Sequence, residues 1–361
     1  MVNSMVKSAV KVPSSFDDIS AEWLTAALRE GGLDDVVVAS LRQESLGAVH
    51  GFACVLSRLV IEYSFAPAGA PASLVAKIPN PDPVAQAAGS AMLGWERESR
   101  FYADLAPRVT ARTPRCYYNG AVPERVAFLL LLEDLGALTT GDQILGLTSA
   151  QAEVAARWLA EFHASWCGRS ELADFDWLEP MDKRRRLHQP LVAASWEPFL
   201  EKFGPVLPAE PLRWMEKYID TFGHPKERAA PLTVVHGDFR PDNFMLDGDR
   251  AIVPIDWQNV AITTGAYDLA DLVVTGITPE QRRATTEQLV QTYRNTLLSR
   301  GVDPGTYGEL FDSFREEVLN VMAILTIGAV FTTDPRSFEL VRANAQRAYL
   351  AAVDLDLGEF I

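Results

Sequence analysis

Cysteine is scarce in this chain. Its three cysteines in 361 residues, Cys54, Cys116 and Cys167, are odd in number and far apart. That excludes a disulfide framework and the paired spacing of a structural zinc site, and it fits a reducing compartment. Long apolar runs are missing too: no stretch reaches the ~18 residues that a membrane span needs. The opening segment MVNSMVKSAVKVPSS has no apolar core of a secretory signal. Together these absences predict a cytoplasmic chain with no membrane partner. Positive charge is in deficit, with 33 Lys and Arg against 48 Asp and Glu and a net charge of −15. Such a balance argues against nucleic acid as a partner and admits a cationic small molecule without requiring one. Neither an internal repeat nor a low-complexity tract is present.

What is there is an ordinary globular composition, 48% apolar and 22% charged. The length suits one large or two modest domains. The most informative stretch runs from Val234 to Gln258, VVHGDFRPDNFMLDGDRAIVPIDWQ. An apolar lead breaks into His236-Gly237-Asp238, and Asn243 follows five residues after the aspartate. Two apolar segments, Phe244 to Leu246 and Ala251 to Ile255, flank Asp247-Gly248-Asp249-Arg250. Asp-Gly between apolar runs signals a hairpin. Folding about Gly248 and Asp249 sets residue 243 opposite roughly 254, which brings Asp256 beside the loop of Asp238 and Asn243. The spacing thus predicts two carboxylates and a carboxamide at one end of a hairpin. Hard oxygen ligands beside a carboxylate free to accept a proton suit magnesium-assisted phosphoryl transfer. The plain alternative is a polar surface hairpin with an Asx turn before Asn243.

HGDFRPDN followed by IDW resembles the catalytic and metal-binding loops of the aminoglycoside phosphotransferase and choline kinase group. Within that group the chain is most similar to the ecdysteroid-kinase-like branch and its bacterial phosphotransferase relatives. The interval from Asp238 to Asn243 also resembles that of the protein-kinase catalytic loop. The resemblance implies an α+β, protein-kinase-like bilobal fold. Its N-terminal lobe would hold a five-stranded antiparallel sheet plus a helix, and its C-terminal lobe would be mostly helical. On this reading residues 1–132 bind nucleotide, and residues 133–361 carry the catalytic loop, the metal site and the acceptor pocket.

Upstream, Ser20 is placed to cap a helix over Ala21 to Glu30. Five β-like runs follow, near 36–44, 52–63, 73–79, 116–119 and 127–132. Gly47 and Gly51, between the first two runs, either form only a turn or let the backbone lie close over phosphates. His50 between them reads as a loop residue. In Ser73-Leu74-Val75-Ala76-Lys77-Ile78-Pro79, alternation sets Leu74, Ala76 and Ile78 on one face and Val75 and Lys77 on the other. Lys77 is either an edge-strand lysine that discourages aggregation or, since LVAKIP resembles the family's strand, the lysine that holds the α and β phosphates. On a helix from about Ser90 to Leu105, the residues Trp95, Glu98, Phe101, Tyr102 and Leu105 share one face, with Glu96, Arg97 and Arg100 off it. A carboxylate on an apolar stripe needs a partner. Lys77 is the expected one, with an arginine or a backbone amide as the other choice. In the resembling family Glu133-Asp134-Leu135 is the hinge, where the backbone at Glu133 and Leu135 meets the nucleotide base. An ordinary strand exit has the same sequence.

From Gly136 onward the period becomes helical. Ser149 is expected to cap a helix through Val154, Leu159, Phe162 and His163, with further helices near 208–222, 266–275, 279–299, 305–329 and 336–352. His163 reads as a core or interhelix residue, and Lys183-Arg184-Arg185-Arg186 as a solvated helix face, with a substrate or phosphate role as the other reading. The resemblance makes Asp238 the group that accepts or orients the substrate hydroxyl proton, Asn243 and Asp256 the magnesium ligands, and Asp268 the support of the catalytic loop. Arg240 either neutralises charge on the transferring phosphate or pairs with Asp242, and His236 bonds backbone around the loop. Trp257-Gln258 stands where protein kinases have Phe-Gly, so no mobile switch is expected there. The resulting expectation is a kinase that uses ATP and Mg2+, with GTP as the other candidate donor, to phosphorylate a hydroxyl of a small molecule. The acceptor would be an antibiotic, a choline-like compound or a bulky sterol-like alcohol, and the chain a monomer or homodimer. Two alternatives stand beside it. One is a catalytically silent kinase fold that binds nucleotide or acts as a scaffold. The other is a protein kinase, disfavoured by HGD in place of HRD.

Overall fold

The computed structural model describes residues 9–46, 54–82, 94–122, 127–224 and 230–361. Gly47, His50 and Gly51 lie outside the described residues. The chain divides into two compact units. One contains Met1–Val109, Thr113–Ala137 and Asp256–Asn259, and the other Thr110–Arg112, Leu138–Ile255 and Val260–Ile361.

In the first unit, the strands β1 (Val37–Ser45), β2 (Cys54–Phe65), β3 (Ser73–Pro79), β4 (Cys116–Val122) and β5 (Ala127–Glu133) form an antiparallel sheet in the order β1-β2-β3-β5-β4. Helix α1 (Ala21–Glu30) is capped by the Ser20 side chain, which accepts from Trp23 N–H. Its Leu24, Ala27 and Leu28 join Leu59, Ile61, Leu74, Ala76 and Ile78 in the core under one face of the sheet. Alternation along β3 therefore points Lys77 to the opposite face. Because β3 is the middle strand, the edge-strand reading of Lys77 falls. A lysine there cannot serve against edge pairing. The described part of the 90–105 helix is α2 (Gly94–Arg100), which continues as a π-helical turn over Phe101–Leu105.

The second unit is mostly helical: α3 (Ser149–Ala164), α4 (Met181–Phe203), α5 (Ala209–Tyr218), α6 (Ala266–Thr275), α7 (Pro279–Ser299), α8 (Tyr307–Gly328) and α9 (Pro335–Asp354). Three of these begin with a Thr cap and a Gln or Glu three residues on, at Thr148/Gln151, Thr278/Gln281 and Thr306/Glu309. Each pair satisfies amides at both sides of the first turn. Thr148, not the expected Ser149, is the cap of α3, because the reciprocal bond needs the glutamine at Gln151. Short strands complete the unit. Strand β6 (Thr139–Thr140) pairs with β8 (Phe244–Asp247), and β8 with β9 (Ala251–Pro254). Strand β7 (Leu232–Val235) pairs with β10 (Ala261–Thr264).

The basic run on α4 departs from expectation. Arg184 and Arg185 are buried rather than solvated. Arg184 Nη2 donates to the Val260 carbonyl at 2.8 Å, and Arg185 Nη2 lies 2.5 Å from Glu317 Oε2. Buried guanidinium groups persist only with such partners, and both partners lie far away in sequence.

Candidate active site

In the first unit, the lysine of β3 meets two carboxylates. Lys77 Nζ lies 2.6 Å from Glu98 Oε2 on α2 and 2.7 Å from Asp256 Oδ1. Lys77 and Glu98 are both buried. Burial opposes the ammonium, but Asp256 and Glu98 hold its pKa well above the usual lysine value. The charge is therefore permanent in the working pH range. Asp256 has φ 66°, a left-handed conformation that aspartate tolerates and that persists where neighbours hold it. Those neighbours are Lys77 on Oδ1 and Gln258, whose Nε2 donates to Oδ2 at 2.7 Å. Trp257 is fully buried and stacks on Phe101 with ring centroids 3.7 Å apart, while Arg97 Nε donates to the Gln258 carbonyl at 2.8 Å. The segment after Asp256 is thus fastened to α2 and its π-helical turn. Sequence reasoning missed Gln258 and Arg97 as supports. An amide two residues beyond the aspartate was the only local signal.

In the second unit, β7 delivers the loop His236 to Asn243, and β8–β9 form the predicted hairpin. Its register sets Phe244 opposite Pro254, and Ile255 N–H donates to the Asn243 carbonyl at 2.9 Å. The next residue along the chain is Asp256. Within the loop, Asn243 Nδ2 donates to both the carbonyl and Oδ2 of Asp238, each at 2.9 Å. Asp238 Oδ1 accepts from Arg240 Nε at 2.7 Å, and Arg240 Nη1 reaches Asp242 Oδ2 at 3.3 Å. Arg240 therefore pairs with both aspartates rather than with Asp242 alone. Burial opposes its charge, and Asp238 and then Asp242 more than restore it. Asp242 is tied in turn to the Gln143 amide through Oδ1 at 2.7 Å.

Below this loop, Asp268 at the start of α6 accepts from two consecutive loop amides, His236 N–H at 2.6 Å and Gly237 N–H at 2.9 Å. His163, fully buried on α3, faces Asp268 Oδ2 with Nε2 at 3.2 Å and the Tyr293 hydroxyl with Nδ1 at 2.7 Å. His236 Nε2 donates to the Ile255 carbonyl at 3.0 Å. One further carboxylate, Asp271, is buried one turn along α6. Burial, and then the charge of Asp238, push its pKa to about 7 against the opposing pull of Arg240.

Asn243 and Asp256 each carry a hard oxygen of the kind magnesium takes. Both hydrogens of the Asn243 amide are committed to Asp238, which leaves the hard carbonyl oxygen Oδ1 as its coordinating atom. Asp256 supplies a carboxylate.

Residues 65–304 match the phosphotransferase enzyme family, APH. The chain belongs to this family. It is similar to macrolide 2'-phosphotransferase type I at 17% identity and a TM-score of 0.50, over 92% of this chain and 98% of that one. It is likewise similar to APH(2")-IIa in its gentamicin complex, at 14% identity and a TM-score of 0.50, over 92% and 96% of the two chains. These likenesses show the kinase-like α+β fold. At 23% identity over 235 residues it is also similar to an uncharacterized kinase-like protein of Caenorhabditis elegans. That match covers 61% of this chain, and the chain spans 61% of the curated relative's length.

Proposed function

We propose that the chain is a small-molecule kinase that transfers the γ-phosphoryl group of ATP to an acceptor hydroxyl. The observation that carries this is the setting of Asp238. Its carboxylate is held through both oxygens by Arg240 and Asn243, on a loop whose amides are gripped by Asp268. A general base needs this kind of fixed direction. Asp238 accepts or orients the hydroxyl proton, so that the acceptor oxygen attacks the γ-phosphorus directly while the bond to the β–γ bridging oxygen breaks and ADP leaves, with no phosphoenzyme. Arg240, already facing Asp238, neutralises charge on the transferring group.

The first unit is the nucleotide-binding part, with Lys77 on the α and β phosphates, Gly47 and Gly51 over the phosphates, and the backbone of Glu133 and Leu135 at the base. Glu98 keeps the lysine in place. Asn243 and Asp256 would hold Mg2+, which supplies neutralisation of the phosphate charge when bound. The second unit carries the catalytic loop and the acceptor pocket. Macrolide and gentamicin in the names of the similar structures make a bulky hydroxylated antibiotic the first acceptor class to screen.

Calorimetric titration of ATP, then GTP, with and without magnesium tests the reading on wild type and Asp256→Ala. Magnesium-dependent binding that the substitution abolishes is the expected result, followed by acceptor-dependent ADP release in a screen of hydroxylated compounds. Absence of binding of either nucleotide by wild type would leave a silent fold.

A further inference from the structure

The exit from β5 carries a polar clamp that neither the catalytic chemistry nor the sequence pattern calls for. Asp134, the residue between Glu133 and Leu135, uses both carboxylate oxygens. Oδ2 accepts from Arg58 Nε at 2.7 Å and from the Ser73 hydroxyl at 2.6 Å. Oδ1 accepts from Arg58 Nη2 at 3.2 Å and from Gly136 N–H at 2.9 Å. The arginine comes from β2 and the serine opens β3, the strand of Lys77. A bidentate, charge-assisted pair of this geometry fixes direction as well as distance. The bond to Gly136 N–H closes an Asx turn over Leu135. A Cβ at Gly136 would lie 2.3 Å from Arg58 Nη2 and 2.9 Å from Asp134 Oδ1, so a larger residue there would push the clamp apart.

The backbone on either side is spoken for. Glu133 N–H donates to the Arg115 carbonyl at 2.8 Å, and Arg115 N–H donates to the Glu133 carboxylate at 3.0 Å. Leu135, half-buried between them, makes no backbone hydrogen bond among the described residues. A backbone amide and carbonyl without a protein partner are open to a ligand. The clamp holds both flanks of that residue, so it sets where its N–H and C=O point.

We infer that Asp134, fastened by Arg58 and Ser73, is a positioning residue that presents the Leu135 backbone to the nucleotide base. This rests on the nucleotide-binding reading above. The same clamp ties the base-reading segment to the strand that carries Lys77, so base and phosphate recognition share one rigid support.

The experiment compares three probes by calorimetry in magnesium: the nucleoside triphosphate that wild type prefers, its nucleoside, and inorganic tripolyphosphate. The variants are Arg58→Met, Asp134→Asn and the milder Ser73→Ala. Arg58→Met and Asp134→Asn should each weaken triphosphate and nucleoside by about tenfold or more, as expected for lost bonds to a charged group. Tripolyphosphate affinity should change by less than about twofold, because it has no base. Ser73→Ala should show the same pattern at a smaller size, and it decides the matter if the other two do not fold. Equal loss for tripolyphosphate would overturn the inference in favour of a general role in the sheet. Unchanged affinity for all three probes would overturn it as well. Wild type that binds tripolyphosphate but neither ATP nor GTP would sink the nucleotide reading, and this inference with it.

Discussion

Lys77 and Arg240 are each held between two carboxylates, yet the two clusters follow opposite plans. The partners of Lys77 come from elsewhere in the chain, Asp256 lying 179 positions away. Those of Arg240 are each two residues away, on its own loop. The Lys77 and Glu98 side chains keep only 9% and 1% of their exposure, with Asp256 at 25% on the rim of the cluster, whereas Arg240 and Asp238 keep 27% and 25%. Dry, long-range ion pairs depend on the whole fold and collapse when one member is removed. Local, half-wet pairs are shaped by their own turn and lose less, since water replaces a lost partner. The first arrangement suits a fixed anchor for phosphates. The second suits a carboxylate that must meet an incoming hydroxyl. A second difference is charge. Arg240 stands among Asp238, Asp242 and Asp271, an excess of acid that the Lys77 cluster has to a lesser degree.

The sharpest break between the clusters is catalytic. Asp238→Asn keeps the shape and removes the proposed base, and should lower kcat by roughly 10²–10⁴-fold while the Kd for magnesium nucleotide stays within about threefold. Steady-state ADP release with the acceptor found by screening reads the first, and calorimetry the second. Equal loss of binding would move Asp238 from the chemistry to the nucleotide site.

Next in size is stability. Lys77→Met leaves Glu98 and Asp256 facing each other without a cation, at a cost of roughly 3–5 kcal/mol. Arg240→Met, with water at hand, should cost roughly 1–3 kcal/mol. Urea unfolding of the two variants beside wild type checks the order. Matching losses would erase the distinction between a dry anchor and a half-wet loop.

The same distinction governs what could be read from the residues alone. Local clusters declare themselves: Asp238, Asn243 and the Asp-Gly turn predict a hairpin whose register is within one residue of the observed one. Lys77 and Glu98 stand out because each is the charged misfit on an otherwise apolar face of a strand or helix, and the ion pair joins them. Arg184 and Arg185 misled because a run of basic residues has the pattern of a wet helix, and the Glu317 that neutralises Arg185 lies 132 positions away. Asp134 was silent for a similar reason. Its partners Arg58 and Ser73 come 76 and 61 positions earlier, each ordinary in its own strand. The positive φ of Asp256 leaves no mark in composition or period. Periodicity reports which side chains are out of place locally, and pairing across strands and helices is visible only in three dimensions.

The smallest expected effect separates the clusters by pH. Asp271 packs on α6 with its Oδ1 accepting from Thr275 at 3.3 Å, and it faces the charges of Asp238, Arg240 and Asp268. Its pKa of about 7 compares with an ordinary aspartate value of 3.8. Between those two values the folded protein holds a proton that the unfolded chain has released. The contribution of this carboxyl to stability is therefore complete below the ordinary value and declines as pH rises through about 7. Asp271→Asn cannot ionise, so it should gain on wild type as pH rises from 5 to 8, by about 2–6 °C in Tm. Other groups titrate alike in both proteins and cancel in the difference. Melting curves at several pH values read it directly. Parallel curves would mean that Asp271 is ionised throughout and that Arg240 balances more of the acid around it. Lys77, held well above its usual value by Asp256 and Glu98, keeps its charge across that window.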